Sequence, residues 1–70
     1  MMIINLYFKE RCPLALGKAK KLDSKAYESL DGTILTISTT EETLRKSHFS
    51  KNYLEVELLK EFGAYDLDIN

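Results

Sequence analysis

The 70-residue sequence has one cysteine, one proline, one histidine, three glycines and no tryptophan. A single cysteine excludes an internal disulfide, and one Cys with one His cannot supply a full ligand set for structural zinc within one chain. No apolar stretch approaches the roughly 20 residues that cross a bilayer. The first residues also lack a basic region and a small-residue cleavage site, so we expect a strand there rather than a leader. The composition predicts one small globular domain over residues 1–70, cytoplasmic by default, without a structural metal or cofactor.

Charge is nearly balanced, with 10 basic and 11 acidic residues. The whole molecule therefore has no strong field for phosphate backbones, which disfavours nucleic acid as a partner. Basic residues nevertheless crowd the first half of the chain, namely Arg11, Lys18, Lys20, Lys21 and Lys25. Acidic residues dominate the last third, namely Glu55, Glu57, Glu61, Asp66 and Asp68. A run of this kind is most often a solvated helix face, but a partner that contacts the basic run would meet positive charge.

The first half of the chain changes from strand-like to helix-like spacing. Residues 2–8 alternate and are rich in β-branched and aromatic side chains, which favours a strand. Its expected inward positions are Ile4, Leu6 and Phe8. From Pro13 the apolar residues recur at three and four positions, which predicts a helix with its apolar stripe at Ala15, Leu16, Ala19 and Leu22. Residues 25–30 fit either a second short helical segment or a continuation of this helix.

The second half predicts a strand, a helix and two further strands. Asp31-Gly32 indicates a turn, and residues 33–38 are β-branched enough for a strand, which would make a right-handed parallel crossover with the first. Thr39 and Glu42 have the spacing of a capping box and predict a helix to about residue 51. Residues 53–58 and 64–69 alternate, which predicts a closing β-hairpin. The predicted order is β-α-β-α-β-β.

The only cysteine stands directly before the only proline, where the first helix is expected to begin. Proline is favoured at the first helical position because its φ suits the helix and its missing N–H would be unpaired there. Cys12 is then the helix N-cap. The free N–H groups and the positive end of the helix dipole favour a thiolate at that place, so Cys12 is the candidate reactive residue.

The segment from Arg11 to Leu22, with Cys12-Pro13 followed by Ala15 and a Lys-Ala-Lys-Lys run, resembles the TusA/SirA-like sulfur carriers. Their signature is Cys-Pro-x-Pro after the first strand; Ala15 replaces the second proline, and no glycine precedes Arg11. The resemblance implies a two-layer α+β sandwich, with a mixed four-stranded sheet and two helices on one face. It also implies that Cys12 carries persulfide sulfur from a desulfurase or another carrier to an acceptor protein. Such a protein is a sulfurtransferase-like carrier rather than a turnover enzyme.

Basic side chains close to the motif are candidates for contact with those partner proteins. Arg11 and Lys18 could lie near the sulfur, and Lys20 and Lys21 could meet an acidic partner surface. A different class of function stays open: a non-catalytic interaction or regulatory module of the same fold, in which Cys12 is structural. Its outward acidic residues would then contact a partner, or its sheet would pair across a dimer. A dyad of Cys12 with His48 is disfavoured because no orienting group is recognisable.

Overall fold

Four strands and three helices follow one another in the order strand, helix, two strands, two helices, strand. The strands are β1 (Met2–Tyr7), β2 (Tyr27–Glu28), β3 (Ile34–Thr39) and β4 (Asp66–Ile69). The helices are α1 (Pro13–Leu22), α2 (Glu41–Lys46) and α3 (Leu54–Phe62). This computed structural model describes Met1–Asn70. None of its helices has the length and apolar character needed to span a bilayer.

All strands join one sheet in the order β2-β3-β1-β4, and each neighbouring pair is antiparallel. The predicted α+β class with a four-stranded sheet is confirmed. The predicted mixed sheet and the parallel crossover from β1 to the strand at residue 34 are wrong. The physical reason is β2, which forms an antiparallel hairpin with β3. The chain therefore reverses direction before β3, and β3 pairs with β1 in the antiparallel direction. Residues 25–30, expected to be helical, contain this short strand.

The β2–β3 turn is held by one carboxylate. Asp31 Oδ1 accepts hydrogen bonds from the Thr33 hydroxyl at 2.7 Å, the Thr33 N–H at 3.0 Å and the Ser29 hydroxyl at 2.8 Å. These donors, Thr33 foremost, lower the pKa of Asp31 to about 2. Gly32 follows with φ +76°, a conformation that costs glycine little because it has no Cβ. The predicted Asp31-Gly32 turn is therefore confirmed.

The predicted strand at residues 53–58 is wrong, because these residues begin α3. No hairpin closes the chain; β4 instead pairs with β1, between Tyr7↔Asp66 and Ile4↔Ile69. The segment from 54 to 58 fits both periods, since Leu54, Leu58 and Phe62 are also spaced by four, which is one face of a helix. The helix buries Leu58 and Phe62 and leaves Val56 exposed. It ends at Gly63 in the left-handed conformation, a common helix terminus. The predicted β-α-β-α-β-β order and the count of two helices are corrected accordingly.

All three helices cover one face of the sheet. The inward strand residues Ile4, Leu6, Leu35 and Ile37 are each at most 2% exposed. They share one apolar cluster with helix residues, which are Ala15 and Ala19 from α1, Leu44 from α2, and Leu58 and Phe62 from α3. The predicted inward positions of β1 are thus correct. The other face of the sheet carries no helix, which is common for antiparallel sheets.

α2 begins one residue later than predicted and ends at Lys46 rather than near residue 51. Thr40, not Thr39, is the N-cap, and its hydroxyl oxygen accepts from the Thr43 N–H at 3.1 Å. Thr39 remains the last residue of β3, where strand alternation directs it inward with Leu35 and Ile37. It is 4% exposed, and its hydroxyl has no hydrogen-bond partner.

Candidate functional site

Cys12 is the N-cap of α1, as predicted, with Pro13 at the first helical position. Its carbonyl accepts from the N–H groups of Ala15 and Leu16 at 3.1 and 3.4 Å. Its thiol makes no capping hydrogen bond and belongs to no disulfide. The residue is partly buried and packs against the edge of the apolar cluster. Main-chain atoms alone therefore start the helix, and the sulfur has no structural bond to keep it there.

The first turn of α1 can accept an anion. Pro13 has no N–H, and the N–H of Leu14 has no hydrogen-bond partner. The first turn contains no acidic residue that would compete for these positive ends. Leu14 itself is 80% exposed, so solvent reaches this turn. A thiolate or persulfide on Cys12 would meet the positive end of the dipole of a ten-residue helix.

Arg11 fixes the segment before Cys12 to the β2–β3 hairpin. One guanidinium nitrogen forms an ion pair with Glu28, and the other donates to the Leu30 carbonyl at 2.9 Å. The side chain lies directly across Gly32, where an added Cβ would come within 2.8 Å of the Arg11 Cγ and Nε. Arg11 therefore holds the approach to Cys12 in place, and both of its terminal guanidinium nitrogens are bonded within the molecule.

The three lysines predicted as docking residues have different surroundings. Lys18 donates to the Glu61 carbonyl at 2.9 Å, and its Nζ lies 3.6 Å from the Glu61 carboxylate, which joins α1 to the end of α3. Lys20 and Lys21 are exposed and take part in no ion pair. The structure thus leaves two of the four predicted basic residues free to meet a partner, both on the last turn of α1.

His48 forms no hydrogen bond with the Cys12 thiol. It follows α2 in the left-handed conformation at φ 71° and lines a groove with Lys18, Lys21 and Lys60, between α1 and α3. Cys12 does not line this groove. The structure shows no cluster of three or more His, Cys, Asp or Glu side chains able to hold a metal ion.

The uncovered face of the sheet carries a polar network that sequence reasoning missed. Asp68 accepts from the Tyr7 hydroxyl at 2.5 Å and from the Asn5 amide at 2.9 Å, and the Asn5 carbonyl oxygen accepts from the Thr36 hydroxyl at 2.8 Å. The bond between Tyr7 and Asp68 raises the pKa of the phenol and lowers that of the carboxyl. The network crosses β4, β1 and β3. The only available signal was the alternation of polar residues along these strands, which becomes informative once their register is known.

Comparison with protein-family models, curated proteins and solved structures finds no match to the chain. The resemblance to TusA/SirA-like carriers therefore remains a prediction based on the residues from Arg11 to Leu22.

Proposed function

We propose that the protein is a sulfur carrier in which Cys12 accepts and relays persulfide sulfur between proteins, in the cytoplasm. The observation that carries the proposal is a thiol at the N-terminus of α1 that forms no hydrogen bond and no disulfide, two residues before a backbone N–H that also has no partner. A structural N-cap is normally Ser, Thr, Asp or Asn, whose oxygen bonds to the first turn. Cys12 makes no such bond, so capping does not account for its presence there.

The reaction requires no cofactor. The Cys12 thiolate attacks the outer sulfur of a persulfide on the donor protein, the donor's S–S bond breaks, and the donor cysteine leaves as a thiolate. Cys12 then holds the persulfide, with no net oxidation. Delivery repeats the same exchange with an acceptor thiolate, and Cys12 leaves as the thiolate. The positive end of α1 favours the anionic sulfur in both steps.

We expect donor and acceptor proteins to contact the exposed residues of α1. Leu14, two residues after Cys12, offers an exposed apolar contact. Lys20 and Lys21 offer positive charge on the last turn of the same helix to an acidic donor or acceptor surface. Arg11 and Lys18 act within the molecule, by holding the Cys12 segment and the end of α3.

A second candidate is an interaction module in which Cys12 only packs. Its contact with the apolar cluster favours this candidate, since an unreactive cysteine behaves as a small apolar residue. The two candidates differ in what the thiol does in the folded state. A carrier requires a thiol that reagents reach without unfolding, and a packing residue does not.

Mass spectrometry after incubation with a cysteine desulfurase and cysteine tests the proposal. We expect the protein to gain the mass of one sulfur atom, and Cys12→Ser, the matched control, to gain none. The wild-type thiol should also react with iodoacetamide in the folded state. No sulfur gain with any of several desulfurases would overturn the carrier function. Alkylation that begins only when the protein unfolds would support the interaction module instead.

A further inference from the structure

The uncovered face of the sheet has a composition unlike the rest of the molecule. Side chains of residues that are paired in register lie on the same face of the sheet. The face that no helix covers is called the open face. It comprises Ile3, Asn5, Tyr7, Tyr27, Ile34, Thr36, Ser38, Asp66 and Asp68. Tyr27 is 62% exposed, Ile3 43% and Ile34 36%. Ile34 pairs with Tyr7, and Tyr7 pairs with Asp66, so an exposed apolar side chain, an aromatic ring and a carboxylate lie side by side across β3, β1 and β4 on a surface that no helix covers.

The charge of the open face is of one sign. No strand contains Lys or Arg, and the only charged strand residues are Glu28, Asp66 and Asp68. Glu28 pairs with Leu35, on the opposite side of the sheet, and is neutralised by Arg11. The two aspartates of the open face form no ion pair. They leave a local negative charge in a molecule whose net charge is only −1.

Hydrogen bonds hold the centre of the open face in one arrangement. Asp68 is fixed between Tyr7 and Asn5, and Asn5 is fixed by Thr36, so these side chains lose little freedom when a partner binds. Asp66 Oδ1 accepts from the Leu67 N–H at 2.9 Å, which directs that carboxylate too. Asp66 is exposed, and its second oxygen has no partner.

We propose that the open face binds an arginine-bearing protein segment. A guanidinium can pair with the Asp66 carboxylate and lie on the half-buried ring of Tyr7, the cross-strand partner of Asp66, while a neighbouring apolar side chain covers Ile34 on the next strand. A second copy of this chain, docked through the same face, would bring the aspartates of both copies together without a cation. Nucleic acid and anionic membranes would be repelled by the same charge. The open face shares no residue with the Cys12 site, so the proposal of arginine binding is independent of the proposal of sulfur transfer.

Titration of the isotope-labelled protein by NMR tests the site. The probe is a short synthetic peptide that alternates arginine with valine, and a glutamate–valine peptide is its control. We expect shift changes confined to the open face with the arginine peptide, decreasing with added salt, and none with the control. Shift changes centred on the groove or on α1 would overturn the proposal. So would a short DNA duplex that binds the same face, or concentration-dependent self-association through it without peptide.

Two matched charge reversals make the test specific. Asp66→Lys should weaken binding of the arginine peptide by about tenfold or more, or roughly 1.4 kcal/mol. Glu55→Lys makes the same change at an exposed position on α3, in the other layer, and should leave the affinity unchanged. Asp66→Asn, which keeps an acceptor for the Leu67 N–H, should give an intermediate loss and guards against a folding defect. Equal losses for Asp66→Lys and Glu55→Lys would contradict a site on the open face.

Discussion

Thr39 is a buried residue whose polar atom has no partner. Its position at the end of β3 follows from alternation with Leu35 and Ile37, which directs it into the apolar layer. A hydroxyl taken out of water without a hydrogen bond destabilises the fold, whereas an apolar group of the same shape does not. Valine has that shape and suits a strand equally well.

We therefore expect Thr39→Val to raise the free energy of unfolding by about 1–2 kcal/mol. Urea unfolding followed by circular dichroism measures it. Thr36→Val is the matched control on the same strand, because the Thr36 hydroxyl donates to Asn5 and its loss breaks the network of the open face. It should lower stability or leave it unchanged. A destabilised Thr39→Val variant would mean that its hydroxyl is satisfied after all.

Sequence reasoning about the site succeeded at Cys12, where the signal is local. Cys12 as N-cap followed from Pro13 alone, because proline at the first helical position is a local preference. The capping-box prediction placed the N-cap at Thr39, one residue too early. The spacing of Thr and Glu does not reveal that the alternation of β3 directs Thr39 inward, which leaves Thr40 to cap the helix. The hydrogen bond from the Arg11 guanidinium to the Leu30 carbonyl joins residues 19 positions apart. It forms only because the β2–β3 hairpin folds back beside Arg11. No local pattern contains that information.

At the scale of the elements, α2 ends in a motif that usually contains glycine. The Phe49 N–H reaches the Leu44 carbonyl at 3.0 Å, and the His48 N–H reaches the Arg45 carbonyl at 3.0 Å. These are the two bonds of a Schellman terminus, with Phe49 near Leu44 as its apolar contact. The left-handed residue between them is His48, at φ 71°. A residue with a Cβ pays a conformational penalty there that glycine does not.

We expect His48→Gly to stabilise the protein by about 1 kcal/mol relative to His48→Ala. Both variants remove the exposed imidazole, so the comparison isolates the backbone conformation. Thermal unfolding of the two variants and the wild type gives the difference. Equal stability of the glycine and alanine variants would show that this turn does not adopt the left-handed conformation in solution.

The element that sequence reasoning misassigned is α3. The six residues from 53 to 58 are too few to separate a period of 2 from one of 3.6, and strand formers such as Val56 favoured the wrong choice. The extension of the apolar spacing from Leu58 to Phe62, and Gly63 after it, indicates a helix. The two-residue β2 is a different case. Its pairing with β3, rather than any pattern of its own, makes it a strand.

At the scale of the whole molecule, the α+β class could be predicted because it depends on strong strands at both ends and a clear first helix. Strand direction could not, because it depends on β2 and on the turn at Asp31. The open face depends on strand direction and register in the same way. Alternation along the strands indicates that its polar residues point outward, but only the register of β1 with β4 brings Asn5, Tyr7 and Asp68 together.

The stability of the whole chain should depend on the ionised state of two carboxylates that hydrogen bonds stabilise. The pKa of Asp31 is lowered from 3.8 to about 2, and that of Asp68 is lowered too, chiefly by the Tyr7 hydroxyl. Each binds its proton more weakly in the folded protein than in the unfolded chain. Their contribution is therefore complete above the unfolded pKa and is lost as pH falls through the folded pKa.

We expect the urea midpoint to decrease as pH falls from about 4 to about 2, in part because Asp31 then takes up its proton in the folded state. In Asp31→Asn the side chain is neutral at every pH but keeps an acceptor for Thr33. The variant should be less stable than the wild type at neutral pH, and the difference should narrow towards pH 2 as the wild-type carboxyl also becomes neutral. A difference that stays constant over this range would contradict the assignment, because the effect of the substitution would then be one of shape and not of charge.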